Sequence, residues 1–398
     1  MRSFQILYIL FFIIFYLLLA GGSIKNLTVI FLQNKKRLLK RLLWFLNVII
    51  ILGFISLYIY PNQPRNATNY PIYFYFNAIL FTIFIFNIPN ALAFVLHWFF
   101  EKKSIIISLA GFVISAGLGI SLLYGVVIGK QNLTVKEVTL TYRNLPKNFD
   151  NYRIVQFSDL HIGGMLKSNT ILNKTKTKFE RMDPDLLLFT GDLVNNFQTE
   201  TNGFLPVLKD MGDLSLSYST LGNHDYGDYT DWDSPEEKLS NLEGIISVLN
   251  ETGFTLLENQ HTVIKKGNDS IFLVGVENWG HPPFPQYANL EKALQGVPEE
   301  AFTILMTHDP AHWESQVKGK KSIELTLSGH THGLQWGLKP AGISFSLACL
   351  TSKYWGGLYR NGASVLYVNT GLGTIGIPWR LDMQPEITVF TLKRGEID

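Results

Sequence analysis

Cysteine is almost missing from this sequence. Cys349 is the only one in 398 residues, which excludes an intrachain disulfide framework and a zinc site built on cysteine clusters. Net charge is small too. The 34 Lys and Arg against 32 Asp and Glu leave a formal charge of +2, so the total carries no electrostatic case for nucleic acid, and no nucleic-acid partner is expected. The chain lacks low-complexity tracts and repeats with a period of roughly 20–50 residues, which excludes a solenoid. It also lacks a long Gly/Ser linker, so any domains it contains are closely tethered.

What is present is unevenly spread. The hydrophobic fraction is 47%, and four apolar stretches crowd the front of the chain, at about 4–20, 42–60, 72–100 and 105–128. A spanning helix needs roughly 20 apolar residues. The polar stripes that a soluble four-helix core would show are absent. The reading is an all-α, four-helix transmembrane region over 1–128, with the lipid bilayer as partner, followed by a soluble domain over 129–398. The first stretch is at the short end, and a cleavable signal peptide is its alternative reading. The third carries Asn87, Pro89 and Asn90, which predicts one tilted or kinked helix.

Orientation follows from the basic residues. Lys25, Lys35, Lys36, Arg37, Lys40 and Arg41 lie between the first and second stretches, and Lys102 and Lys103 between the third and fourth. The other side has Arg2 and Arg65. Both ends therefore face away from the cytoplasm, which makes this an integral protein of the cell (inner) membrane with an extracytoplasmic soluble domain. Gly111, Ser115 and Gly119, four apart in the last stretch, allow close helix contact, either among the four helices or in a dimer. The oligomeric state stays open.

The soluble part is punctuated by one recurring pattern. Apolar, strand-like runs end in clusters of Asp, Asn or His. They are 153–157 before Asp159 and His161, 186–190 before Asp192, 218–221 before Asn223, His224 and Asp225, 303–307 before His308 and Asp309, and 325–328 before His330 and His332. Sites gather beyond strand ends where loops converge. A set of imidazoles, carboxylates and one amide suits Mn, Fe or Zn and disfavours Mg or Ca, which avoid nitrogen-rich sites.

The order Asp-x-His, Gly-Asp, Gly-Asn-His-Asp, His, Gly-His-x-His resembles the calcineurin-like metallophosphoesterase superfamily, from about Tyr152 to the C-terminus. The stretches 376–380 and 384–388 are similar to its membrane-associated bacterial branch. The resemblance implies a four-layer αββα sandwich and two divalent ions. Asp159, His161, Asp192 and His332 would hold the first, and Asp192, Asn223, His308 and His330 the second. It also implies a phosphoester substrate, attack by a metal-bound hydroxide, and His224 as the acid that protonates the leaving oxygen. Membrane tethering favours a lipid-linked phosphoester. The rivals are a pyrophosphohydrolase of a nucleotide-linked lipid precursor and a non-catalytic membrane sensor or scaffold.

Two departures stand out. Asn195 occupies the place of a second Asp, and Gly333-Leu334-Gln335 replaces Gly-Gly-Gln. The side-chain oxygen of Asn195 is expected to accept the His224 ring N–H, so that Asn195→Asp would move the alkaline limb of the rate profile upward. Asp225 is expected to orient the site or to cap a turn. His281, in the Pro-rich aromatic loop 279–285, is expected to rim the substrate pocket. His261 and His312 are expected to pack. Trp336, Tyr354 and Trp355 are expected to line an apolar approach to the pocket, to dip into the membrane interface, or simply to pack.

Overall fold

The computed structural model describes residues 2–31, 36–58, 70–97, 99, 105–165, 170–282, 284–337 and 345–396. Lys35, Arg65, Lys102 and Lys103 of the orientation argument lie outside these residues, as do Pro283 and Asn169. The chain divides into two compact units, the first holding the apolar front (1–64 and 72–127) and the second the rest.

In the first unit, α1 (Arg2–Ile30), α2 (Lys36–Tyr58), α3 (Tyr70–Leu96) and α4 (Ile105–Val127) are all long and apolar enough to cross a membrane. The first helix continues well past the expected end at Ala20. Gly22, Ser23, Ile24, Asn26 and Leu27 continue it, and most of these are buried. Close packing within the unit explains why. A Cβ on Gly111 would lie 2.6 Å from Ala93 Cβ and 2.9 Å from the Pro89 carbonyl. The small-residue row of α4 therefore admits α3, as small residues do between membrane helices. Polar side chains pair inside. Asn26 Nδ2 donates to Asn90 Oδ1 at 2.9 Å, Asn90 Nδ2 to Ser115 Oγ at 2.7 Å, and His97 Nε2 lies 3.0 Å from Ser108 Oγ. His97 is buried.

The second unit is built on two six-stranded sheets. One runs β1 (Thr134–Tyr142), β12 (Glu386–Arg394), β2 (Tyr152–Phe157), β3 (Leu186–Phe189), β4 (Leu216–Ser219) and β5 (Thr255–Leu256). The other runs β10 (Gly357–Asn361), β11 (Ser364–Val368), β9 (Leu325–Ser328), β8 (Thr303–Met306), β7 (Asp269–Gly275) and β6 (Gln260–Lys266). Strands β2 to β5 are parallel, as are β7, β8, β9 and β11. Antiparallel partners flank the second set, and β12 joins β1 to β2. Strand β1 lies at the edge of the first sheet.

Alternation along each strand assigns the layers. On β2 and β3, Ile154, Leu186 and Leu188 join Leu273, Ile304, Met306, Leu325 and Tyr367 in the core between the sheets. Val155, Phe157, Leu187 and Phe189 turn outward. They meet α5 (Thr170–Met182), α6 (Leu205–Gly212) and α7 (Pro235–Glu251) through Phe179, Leu208, Ile245 and Leu249. On the far side, Val274, Leu305, Leu366 and Val368 pack under Trp313, Val317, Leu290 and Ala293. Both faces of the parallel strands are covered, which is why they read as continuous apolar runs. This is the expected αββα sandwich. Helix α7 starts where Ser234 Oγ caps the Glu237 N–H and Pro235 takes the first position, both good helix starters.

Candidate metal centre

Five parallel strands end at one place. The turns after β2, β3, β4, β8 and β9 carry Asp159 and His161, Asp192, Asn223 and His224, His308, and His330 and His332. Each strand end turns sharply. Asp159, His161, Asp192, His330 and His332 all have positive φ, between 42° and 74°, where a side chain is strained unless its surroundings hold it. The hold is visible. The Asp159 N–H donates to the Gly191 carbonyl, and the Leu160 N–H to the Asp192 carbonyl. A Cβ on Gly222 would clash with Asp192 Oδ1, and one on Gly329 with Ser158 and Asp159. The turns therefore need glycine to close on one another.

The potential ligand atoms fall into overlapping groups, each with its atoms within 4.8 Å of one another: Asp159, His161 and His332; His161, Asp192 and His224; Asp192, His308 and His330. Asp192 links them. Its Oδ2 lies 3.4 Å from His161 Nε2 and 3.1 Å from His308 Nε2, and its Oδ1 accepts the His224 backbone N–H at 2.9 Å. His332 Nε2 is 3.3 Å from Asp159 Oδ1. Asn223 Oδ1 sits 3.1 Å from His308 Nε2 and 2.8 Å from His330 Nδ1. Ligands about 2.1 Å from one ion lie about 3.0–3.4 Å from each other, which is the spacing seen here.

A fit to metal can be tested on the buried nitrogens. Among the described residues, His161 Nδ1 and Nε2 and His332 Nε2 are buried without a hydrogen-bond partner. Such groups are costly inside a protein and need an explanation. His308 donates its Nδ1–H to the Thr190 carbonyl at 2.7 Å, which directs Nε2 to the carboxylates, the usual arrangement behind a ligating histidine. Asn223 Nδ2 donates to Tyr229 Oη at 2.7 Å, turning the amide oxygen towards the imidazoles. The residues fit two cations.

Electrostatics agree. Burial alone would raise Asp192, but the imidazoles of His308, His224 and His161 outweigh it and hold the carboxyl well below its usual range. Burial opposes a charge on His308, yet Asp192 and then Asp159 push it up to about 10. In the bare polypeptide, protons on imidazole thus stand where cations would neutralise the carboxylates. His224 moves the other way. Burial brings it down to about 4, and Asp192 only partly offsets this.

The surroundings correct one expectation. The His224 ring meets Asn195 through the backbone, with Nδ1 2.8 Å from the Asn195 carbonyl oxygen. The Asn195 side chain points elsewhere, its Nδ2 donating to Glu200 Oε2 at 2.8 Å. Glu200 also accepts the N–H groups of Gly163, Asn195, Asn196 and Phe197. This buried carboxylate organises the loop and claims the amide. Asn195→Asp would therefore set one buried carboxylate against another rather than against His224. The expected outcome is a destabilised domain, by on the order of 2–3 kcal/mol, read as a lower denaturation midpoint. A midpoint within about 0.5 kcal/mol of wild type would show that Glu200 does not bear on this position.

Asp225 takes the orienting role by a backbone route. Its carboxylate accepts the N–H groups of Asp192, Leu193, Val194 and Gly222, tying the β3 and β4 turns together. Two residues were not foreseen. Tyr229 stacks on His224, with centroids 4.2 Å apart and planes at 17°. The buried Arg380 donates to the carbonyls of Thr370, Gly373 and Met383, and its Nη2 lies 3.2 Å from His332 Nδ1. Only the membership of Arg380 in 376–380 hinted at it. His281 lies beside Asp309 at 3.4 Å. His312 packs as expected, stacked on Trp279. Tyr354 packs edge-on against Trp313.

Fold and site together define the class: a two-sheet α/β protein with a candidate metal centre at the strand ends, carrying four apolar helices at its front. The family model of calcineurin-like phosphoesterases matches residues 152–334, a range that holds every candidate ligand. Residues 152–334 thus carry a calcineurin-like phosphoesterase domain. It is 29% identical over 330 residues to a Danio rerio transmembrane protein with metallophosphoesterase domain, covering 80% of this chain and 71% of that protein. It is likewise 29% identical to the uncharacterized metallophosphoesterase YkuE of Bacillus subtilis (strain 168), covering 72% of this chain and 94% of that one. Among solved structures, the Thermus thermophilus sulfate thiohydrolase SoxB aligns at 13% identity and a TM-score of 0.36, over 63% of this chain and 57% of that one.

Proposed function

We propose that this chain is a membrane-anchored phosphoesterase using two divalent ions, one held by Asp159, His161, Asp192 and His332 and one by Asp192, Asn223, His308 and His330. Residues 1–128 form the membrane region and 129–398 the catalytic domain. The observation that carries the reading is the set of buried imidazole nitrogens on His161 and His332 that have no hydrogen bond among the described residues and face Asp192 and Asp159. Bound there, Mn, Fe or Zn ions would polarise the phosphoryl oxygens and acidify a water. In the hydrolysis, the water oxygen becomes bonded to phosphorus, the P–O bond to the alcohol breaks, and the alcohol leaves with a proton. His224 supplies that proton. An anionic phosphoester beside the ring favours the imidazolium, the Asn195 carbonyl anchors Nδ1–H, and the Tyr229 ring holds the imidazole plane.

The purified full chain, stripped with a chelator and reloaded with Mn, should regain turnover of a phosphoester and bind about two ions per chain. Full activity in the stripped protein would overturn the reading.

The four spans and the lack of a linker favour a phosphoester presented at the membrane, a lipid-linked one among them. The basic residues at the facing ends of the first and second spans, Lys25 in α1 and Lys36, Arg37, Lys40 and Arg41 in α2, favour an extracytoplasmic domain in the cell membrane. A reporter that is active only outside the cytoplasm, fused after Asp398, should be active. Activity only of a cytoplasmic reporter at the same position would reverse the orientation.

A further inference from the structure

The cavity that holds the candidate ligands continues beyond them. It encloses about 340 Å³ around His161, Asp192, Asn223 and His224. It shares His330, Thr331 and Leu334 with a neighbouring cleft of about 560 Å³, a size that suits a small molecule. The second cleft draws on the segment after β8 and on residues 348–354, so the reacting centre has room beside it for the rest of a substrate.

The chemistry of that cleft is selective. Asp309 and Glu314 bring carboxylates, and Ser315, Thr351 and Ser352 bring hydroxyls. The basic side chains in its lining face these acids: Lys353 Nζ lies 3.0 Å from Glu314, and His281 Nε2 3.4 Å from Asp309. Asp309 is the telling residue. It directly follows His308, and it is 3% exposed. Its Oδ1 accepts the Ala311 N–H at 2.9 Å and caps the turn. Among the described residues its Oδ2 has no hydrogen bond, only the neighbouring ring of His281, a side chain that is 61% exposed. One oxygen of a largely buried carboxylate, without a hydrogen-bond donor among the described residues, therefore borders the cleft.

We propose that this cleft is the leaving-group subsite, and that it takes a polyol: an alcohol carrying at least one further hydroxyl near the ester oxygen. The inference rests on the phosphoesterase reading above and adds the substrate class. A polyol offers O–H donors to Asp309 Oδ2 and to the hydroxyl oxygens of Thr351 and Ser352, whose own protons go to the Ala348 and Tyr354 carbonyls. A second phosphate group would meet two carboxylates, and the nearby lysines, Lys318 and Lys353, are already paired with Glu314. A plain alkyl group would cover Asp309 without supplying a donor, which is costly. Sites built to hydrogen-bond a substrate hydroxyl reject analogues that lack it.

The test uses the full chain in detergent, loaded with Mn. kcat/KM is measured for glycerol 3-phosphate and n-propyl phosphate, with p-nitrophenyl phosphate as a leaving group without a further hydroxyl. The glycerol ester should be preferred over the propyl ester by about tenfold or more. Asp309→Asn keeps an acceptor for the Ala311 cap but loses the charge; it and Ser352→Ala should each lower that preference by about threefold or more. Turnover of p-nitrophenyl phosphate with a glycerol-to-propyl ratio near one in the wild type overturns the subsite alone. So does a ratio unchanged in both variants. No turnover of any of the three overturns the subsite and the phosphoesterase reading together. If Asp309→Asn does not fold, the wild-type ratio still decides. Inhibition of p-nitrophenyl phosphate turnover by free glycerol but not by 1-propanol supports the subsite, and equal inhibition overturns it.

Discussion

Asp192→Asn should lower kcat/KM by on the order of 10³-fold or more and should empty both ion positions rather than one. The substitution keeps the shape of the side chain and one carbonyl oxygen. It removes the charge that faces His161 on one side and His308 on the other, at 3.4 and 3.1 Å. An amide oxygen cannot balance two divalent ions, and an amide nitrogen would turn a donor towards a cation. The same carboxylate is the main reason His308 is pushed up to about 10, so in the variant that imidazole should lose its proton at a lower pH. Elemental analysis beside turnover reads the result. Two ions per chain with wild-type turnover would remove Asp192 from the centre; loss of one ion with the other retained would show that it does not bridge.

The second large effect is expected at His224. His224→Asn should lower kcat by about 10²–10⁴-fold for alkyl esters and by much less for p-nitrophenyl esters, which leave without a proton. Both ions should stay. This last readout matters because His224 also lies within reach of His161 and Asp192 in one potential ligand group. Its Nδ1 is engaged by the Asn195 carbonyl and its face by Tyr229, which leaves the ring positioned but its second nitrogen uncommitted. A loss of metal would make His224 a ligand. An equal loss for alkyl and aryl esters would exclude it as the acid.

Much of this molecule could be read from the chain itself, because the features concerned are local. Strand ends announce themselves where an apolar run stops at Asp, Asn or His. Buried parallel strands have no polar face to interrupt the run, as in Leu186–Phe189. Helix α7 likewise has local start signals, the Ser234 cap and Pro235 at its first position. Membrane spans follow from composition and length. The end of α1 was misjudged because Gly21, Gly22, Ser23 and Asn26 look like a break in the sequence, whereas close helix contacts and the Asn26–Asn90 pair make them favourable in the packed unit.

By itself, then, the sequence determined the two materials of the chain, the strand-end turns and the residue types gathered in them, since each depends on neighbours a few positions away. Only the tertiary structure decided how those side chains are held. Asn195 turned to Glu200 instead of His224 because a buried carboxylate needs donors, and the loop 195–200 supplies them. Arg380 reached His332 across 48 residues, and Tyr229 took both the Asn223 amide and the His224 face. Such partners answer to burial and to the desolvation of polar groups, which appear only once distant segments close over one another.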